Sequence, residues 1–121
     1  MRRLSVGATN FTQIFIGDKP GQGGACHEYF IGRANDNINE PVGEFGYIKF
    51  QNGPIKEFGV NGCHQEDLLA IVIDRLQSFQ ADQYACRENE LALTKIQEAL
   101  HWLNHRTNER VKRGVEGINM V

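Results

Sequence analysis

Between Gln65 and Arg113 the chain has neither glycine nor proline, although its 121 residues include 13 glycines and three prolines. Eleven of those glycines and all three prolines fall at or before Gly62. Glycine and proline punctuate short strands and turns, and a long stretch without them permits long helices. The chain is therefore predicted to run β first and α second. Long apolar runs are missing too: the longest, Leu68-Leu69-Ala70-Ile71-Val72-Ile73, is far short of the roughly 18 residues of a membrane span. The start, Met1-Arg2-Arg3-Leu4-Ser5, carries a basic pair, but Gly7, Thr9, Asn10 and Gln13 interrupt the apolar region that an export signal needs, so cleavage and export are not expected. Three cysteines, Cys26, Cys63 and Cys86, are an odd number at wide spacings, which fits reduced thiols in a cytoplasm better than a disulfide framework. A surplus of charge is also lacking. Lys plus Arg number 13 against 15 for Asp plus Glu, a net charge of −2 that argues against indiscriminate attraction to nucleic acid or to an anionic membrane. Any anion site must be local.

What remains is an ordinary globular composition, 40% hydrophobic and 23% charged, at a length that suits one domain. The predicted class is α+β, an N-terminal antiparallel β-sheet followed by a C-terminal antiparallel helical hairpin with a long second helix. Residues 1–62 form the β-rich part, 63–113 the hairpin and 114–121 a tail. Gln13-Ile14-Phe15-Ile16, Glu28-Tyr29-Phe30-Ile31 and Tyr47-Ile48-Lys49-Phe50 read as strands of a meander, with Ile55 to Val60 a fourth candidate. Gln51-Asn52-Gly53-Pro54 between the last two carries the chemistry of a tight hairpin turn. From Leu68 the residues Leu69, Val72, Ile73, Leu76 and Phe79 recur at helical spacing, with Glu66 and Asp67 suited to the first turn and an end near Gln80. A short link, Ala81 to Ala85, returns the chain as an antiparallel partner that runs from about Cys86 to Arg113, where Gly114 stops it. That second helix is about 40 Å long and is expected to project beyond the first.

At 100° per residue from Ile96, the side chains of Ala92, Leu93, Leu100 and Leu103 lie within about 60° and define a buried face. Arg110 lands about 40° from the same axis, with Arg106 and Arg113 about 80° and 100° away, so the apolar stripe turns cationic. Two readings stand: a solvated helix end in which arginine meets the negative pole of the helix dipole, or a phosphate clamp built on its planar fork. His101 and His105, an i, i+4 pair, sit about 140° and 180° from the buried axis and lack the glutamate of a zinc-protease motif, so no metal is expected. Gly21-Gln22-Gly23-Gly24 reads as a hairpin loop or an anion-binding nest, without the Lys-Ser/Thr ending of a nucleotide loop. No nucleophile signature is present, and Glu88 with Glu90 has no defined pocket, so nothing points to catalysis.

Glu88-Asn89, Ala92-Leu93 to Ala99-Leu100, and Arg106-Thr107-x-x-Arg110-x-x-Arg113-Gly114-Val115-Glu116-Gly117 resemble the helical hairpin shared by phage sponge proteins that disarm bacterial nucleotide signalling. Phe50-Gln51-Asn52-Gly53-Pro54, Glu57-x-Gly59-x-Asn61-Gly62 and Arg75-Leu76-x-x-Phe79-Gln80 resemble the first-described Thoeris anti-defence family in particular, a likeness over residues 45 to 117. The resemblance implies a bacteriophage protein of immune evasion, acting in the host bacterial cytoplasm, that binds the cyclic nucleotide signal glycocyclic ADP-ribose and holds it uncleaved. It further implies binding of the cyclic trinucleotides of CBASS defence systems at separate sites, and a homo-oligomer in which dimers assemble into hexamers. Carried onto matching positions, Phe79 and Asn89 hold the adenine, and Arg106 and Arg110 the phosphates; Arg113 is added from the helical geometry. No catalytic residue, metal or cofactor is carried over, and neither a nucleic-acid polymer nor a membrane is an expected partner. Phe79 also continues the first helix's apolar stripe, so core packing is its alternative role; Asn89 is equally a polar residue of a first helical turn. The competing functions are an enzyme hydrolysing the same signal and an RNA-binding adaptor using the basic helix.

Overall fold

Thr12-Gln13-Ile14-Phe15-Ile16 carries almost nothing but strand-forming residues, and it becomes the second strand of a four-stranded sheet. The computed structural model of the chain describes residues 2–6, 10–34 and 43–114. The strands are β1 (Arg2–Leu4), β2 (Thr12–Ile16), β3 (Glu28–Arg33) and β4 (Gly46–Lys49). They pair antiparallel in the order β1-β2-β3-β4, with Phe15 opposite Arg3 and Phe30, and Tyr29 opposite Ile48. Because side chains alternate along a strand, Gln13 and Phe15 share one face and Ile16 takes the other, yet all three are buried. The core of this part thus sits around β2, which is covered on both sides. The loop from β2 to β3 contains a 3-10 turn at Gln22–Gly24 and is tied to β3 through Asp18. The Asp18 carboxylate accepts the N–H groups of His27 (2.9 Å) and Glu28 (3.1 Å). Tyr47 donates its hydroxyl to the Glu28 carboxylate across β3 and β4. That bond, with burial and the carboxylate's charge behind it, raises the Tyr47 phenol above the usual tyrosine value.

The segment after β4 departs from the sequence expectation. Ile55–Phe58 is one turn of helix, α1, and not a fourth meander strand; Gln51-Asn52-Gly53-Pro54 leads into that turn and does not close a hairpin. Gly53 nonetheless supplies the positive backbone angle expected of it, with φ +87°. Side-chain amides decide the outcome. Gln51 Nε2 donates to the carbonyls of Gly53 (3.1 Å) and Gly59 (2.9 Å), while its Oε1 accepts the Asn61 N–H (2.9 Å). Asn61 in turn accepts the Asn52 N–H and donates to the Asn52 carbonyl, both at 2.8 Å. Every one of these bonds satisfies a backbone group that a strand would have paired with a neighbour. Cys63 then forms a parallel bridge with Phe50, which brings Gly62 hard against the β4 end. A Cβ on Gly62 would stand 2.5 Å from the Phe50 oxygen and 2.6 Å from that of Lys49.

Two helices follow, α2 (Gln65–Gln80) and α3 (Arg87–Lys112), packed antiparallel as expected. The His64 N–H donates to the Asp67 carboxylate (2.9 Å) at the start of α2, and Cys86 Sγ accepts the Asn89 N–H (3.4 Å) at the start of α3. The helix stops at Gly114, as its sequence requires; Val115, Glu116, Gly117 and the rest of the expected tail lie outside the described residues. The chain divides into two compact units, Met1–Cys63 and His64–Val121.

Two outcomes test this description. Gly62→Ala should destabilise the sheet unit by about 1–3 kcal/mol, because backbone and not a flexible side chain must move, and faster hydrogen exchange at β2 and β3 amides will report it. A raised phenol pKa favours the neutral form in the folded state. The Tyr47–Glu28 bond therefore contributes fully below the unfolded tyrosine pKa and is lost as pH rises through the folded one. An absorbance titration should show Tyr47 ionising above the usual tyrosine value, and Glu28→Ala should lower its pKa.

Candidate ligand-binding site

The hairpin unit has no buried residue in either helix. Two helices alone can cover one seam, and the half-covered positions trace it. On α3 they are Asn89, Leu93, Ile96, Leu100, Leu103, Thr107 and Arg110; on α2 they include Leu69, Ile73 and Leu76. The alternating four- and three-residue steps on α3 are those of a coiled-coil seam. Leu93, Ile96, Leu100 and Leu103 match the expected inner face, while Ala92 is exposed. The same stripe is polar at both ends, with Asn89 at one and Thr107 with Arg110 at the other.

Gln80 fastens the end where the helices turn. Its Oε1 accepts the Cys86 N–H (3.0 Å), and its Nε2 donates to the Cys86 carbonyl and to the Glu90 carboxylate, both at 3.1 Å. This clasp brings Phe79 and Asn89 to a shared neighbour, Tyr84. The rings of Phe79 and Tyr84 meet edge to face with centroids 5.8 Å apart, and Asn89 Nδ2 donates to the Tyr84 carbonyl (3.5 Å). Phe79 is half-buried, and the Arg75 guanidinium lies over its ring, 5.1 Å from the centroid. Tyr84 is 61% exposed. Phe79 and Asn89 thus form one cluster around Tyr84, whose ring is open, with a cation over the Phe79 ring.

The arginines lie elsewhere. Arg106 and Arg113 are exposed and Arg110 is half-buried. At 1.5 Å per residue, Arg110 stands about 31 Å along α3 from Asn89. Since α3 has 26 residues against 16 for α2, it is ten residues, or about 15 Å, longer than its helical partner. The five expected residues therefore form two groups at opposite ends of the hairpin, and one hairpin does not close them into a pocket. His101 and His105 are exposed and flank Trp102, their rings 5.3 and 5.8 Å from its own. Among the described residues no group of three or more His, Cys, Asp or Glu is placed to hold a metal ion. Nor is any helix among them long and apolar enough to cross a membrane. In the sheet unit an open hollow of about 430 Å³ is lined by Asn10, Phe11, Thr12, Arg33, Ala34 and Phe45, and includes none of the five.

The sequence profile described as "Acb2/Tad1, hairpin domain" matches residues 44–108. The chain belongs to the Acb2/Tad1 hairpin family. A curated protein named Thoeris anti-defense 1, from Bacillus phage SBSphiJ7, is 52% identical over 82 residues, which are 68% of this chain and 58% of that protein. The match thus spans less than two thirds of the relative's own length. The resemblance read from residues 45 to 117 holds as membership of the Acb2/Tad1 family, and the matched stretch takes in the Gln51–Asn61 amide lattice, the Gln80 clasp, Phe79, Asn89 and Arg106. Arg110 and Arg113 lie beyond it. Arg75, Tyr84 and Gln80 surround the expected aromatic without having been expected at the site themselves. For Gln80 a signal existed in the motif that it ends, and its role is to hold the turn. Gln80→Ala should lower hairpin stability by about 1 kcal/mol or more, read as an earlier loss of helical circular dichroism on heating.

Proposed function

We propose that this Acb2/Tad1-family chain is an anti-defence sponge: it binds a cyclic nucleotide immune signal, glycocyclic ADP-ribose in the first instance, and withholds it from the bacterial effector without cleaving it. The observation that carries this reading is the division of one hairpin into an aromatic–amide end, Phe79 with Asn89, and an arginine end, Arg106, Arg110 and Arg113. A cyclic ADP-ribose offers a flat base and a diphosphate, which call for those two chemistries together. The named relative, Thoeris anti-defense 1, supports the anti-defence role. The site is read as one that holds its ligand and does not cut it. The place of action is the host bacterial cytoplasm. Cyclic trinucleotides of CBASS systems are a second ligand class of this reading, without residues assigned to them.

Because the two ends are about 31 Å apart along one helix, the pocket is closed between chains. An isologous dimer supplies the arginine end of each chain to the Phe79 and Asn89 of its partner, giving two equal pockets, and hexamers are built from such dimers. The test is ligand titration of variants. Arg110→Ala should weaken binding by about ten- to a hundredfold, the worth of a charge-assisted bond of about 1.5–3 kcal/mol, with little change in melting temperature. Phe79→Ala should lose the ligand while Phe79→Trp keeps part of it; equal loss in both assigns Phe79 to packing. The two inactive variants, unfolded together and reassembled, should recover about a quarter of all sites, since half of randomly paired dimers are mixed and each mixed dimer has one intact pocket. Mixed dimers that bind nothing contradict the shared pocket.

A further inference from the structure

Arg75 occupies a position that none of the expected roles explains. It is exposed, and among the described residues it has no carboxylate partner, while its guanidinium sits 5.1 Å from the centroid of the Phe79 ring. An arginine four residues before a phenylalanine on a helix makes such a contact readily, and by itself it stabilises little at an exposed site. Its surroundings add more. Tyr84 meets the same ring edge-on and is itself open, and Asn89 reaches the same turn through the Tyr84 carbonyl. A planar donor fork therefore lies over Phe79 in the cluster that also holds the accessible Tyr84 ring and the Asn89 amide, at an end of the hairpin that Arg106, Arg110 and Arg113 of the same chain do not reach.

We propose that Arg75 is a direct ligand contact, gripping phosphate oxygens of a nucleoside diphosphate whose base packs at Phe79. This rests on the sponge reading above and adds a cation to it. In a nucleotide the phosphate follows the base at the distance of one ribose, so base and phosphate recognition belong side by side. The arginine stem stays along the helix while its head turns from the ring to the phosphate, and the planar fork binds two oxygens where a lysine offers a point charge. Each chain then has its own base-plus-phosphate half-site, and the arginines of a second chain complete it.

The test is calorimetric titration of glycocyclic ADP-ribose into the full chain and into Arg75→Gln and Arg75→Lys, each at low and at high sodium chloride. Circular dichroism confirms that both variants keep their helices. At low salt Arg75→Gln should lose about tenfold in affinity or more, and Arg75→Lys less. The gap between Arg75→Gln and the unmodified chain should narrow as salt rises, because the missing contact is a charge. Arg75→Gln binding as tightly as the unmodified chain overturns the proposal and leaves the sponge reading intact. A loss that is equal at every salt concentration also overturns it, since arginine then only orders the Phe79 ring. Absence of binding by the unmodified chain overturns the sponge reading and the Arg75 assignment with it.

Discussion

One mismatch of length governs the helical hairpin: α3 has 26 residues and α2 only 16. Two helices of unequal length share a single seam for as long as the shorter one lasts, and beyond it the longer helix must be polar or find other cover. The chain meets that demand by continuing the seam with Thr107 and Arg110 in place of leucines. A stripe that is leucine and isoleucine in its middle is thus polar at its ends. That no residue of either helix is buried follows from the same geometry, and it leaves Trp102, Ile71 and Leu91 exposed along the hairpin.

The residues that carry the family resemblance divide by task. Gln51, Asn52, Gly53, Gly59 and Asn61 bond to one another's backbone, and Gly62 is required by the close passage of Phe50. Gln80 ties the two helices at their turn. These positions fix local structure where neither propensity nor apolar pattern would. Phe79, Asn89 and the arginines stand outside that set, with surfaces left open toward solvent or sharing the seam.

Much of the fold was legible because the glycine and proline distribution is so uneven. Three strands, the order of the meander, both long helices, their short link and the stop at Gly114 followed from spacing and punctuation. The errors have specific causes. Arg2–Leu4 was seen as a basic start and not as a strand, since a three-residue edge strand carries no alternation to read. Ile55 to Val60 is rich in strand formers, but Glu57, Phe58 and Gly59 donate their N–H groups to Pro54 and Ile55 in a helical turn, and Gln51 takes the Gly59 carbonyl, so local bonds override propensity there. At the site, helical angles placed Arg110 on the inner stripe and His101 with His105 outside it. They gave no view of Arg75 or Tyr84, because an arginine stacked on a ring and a tyrosine in a link have no periodic signature.

The central claim is capture without chemistry. The direct measurement is mass spectrometry of the small molecule released by denaturing the purified chain after incubation with lysate from cells that produce glycocyclic ADP-ribose. The glycocyclic ADP-ribose should be recovered at its original mass, in an amount that tracks the protein and does not fall with longer incubation. Recovery of a hydrolysed product, or turnover of ligand in excess over protein, contradicts it and makes the chain an enzyme.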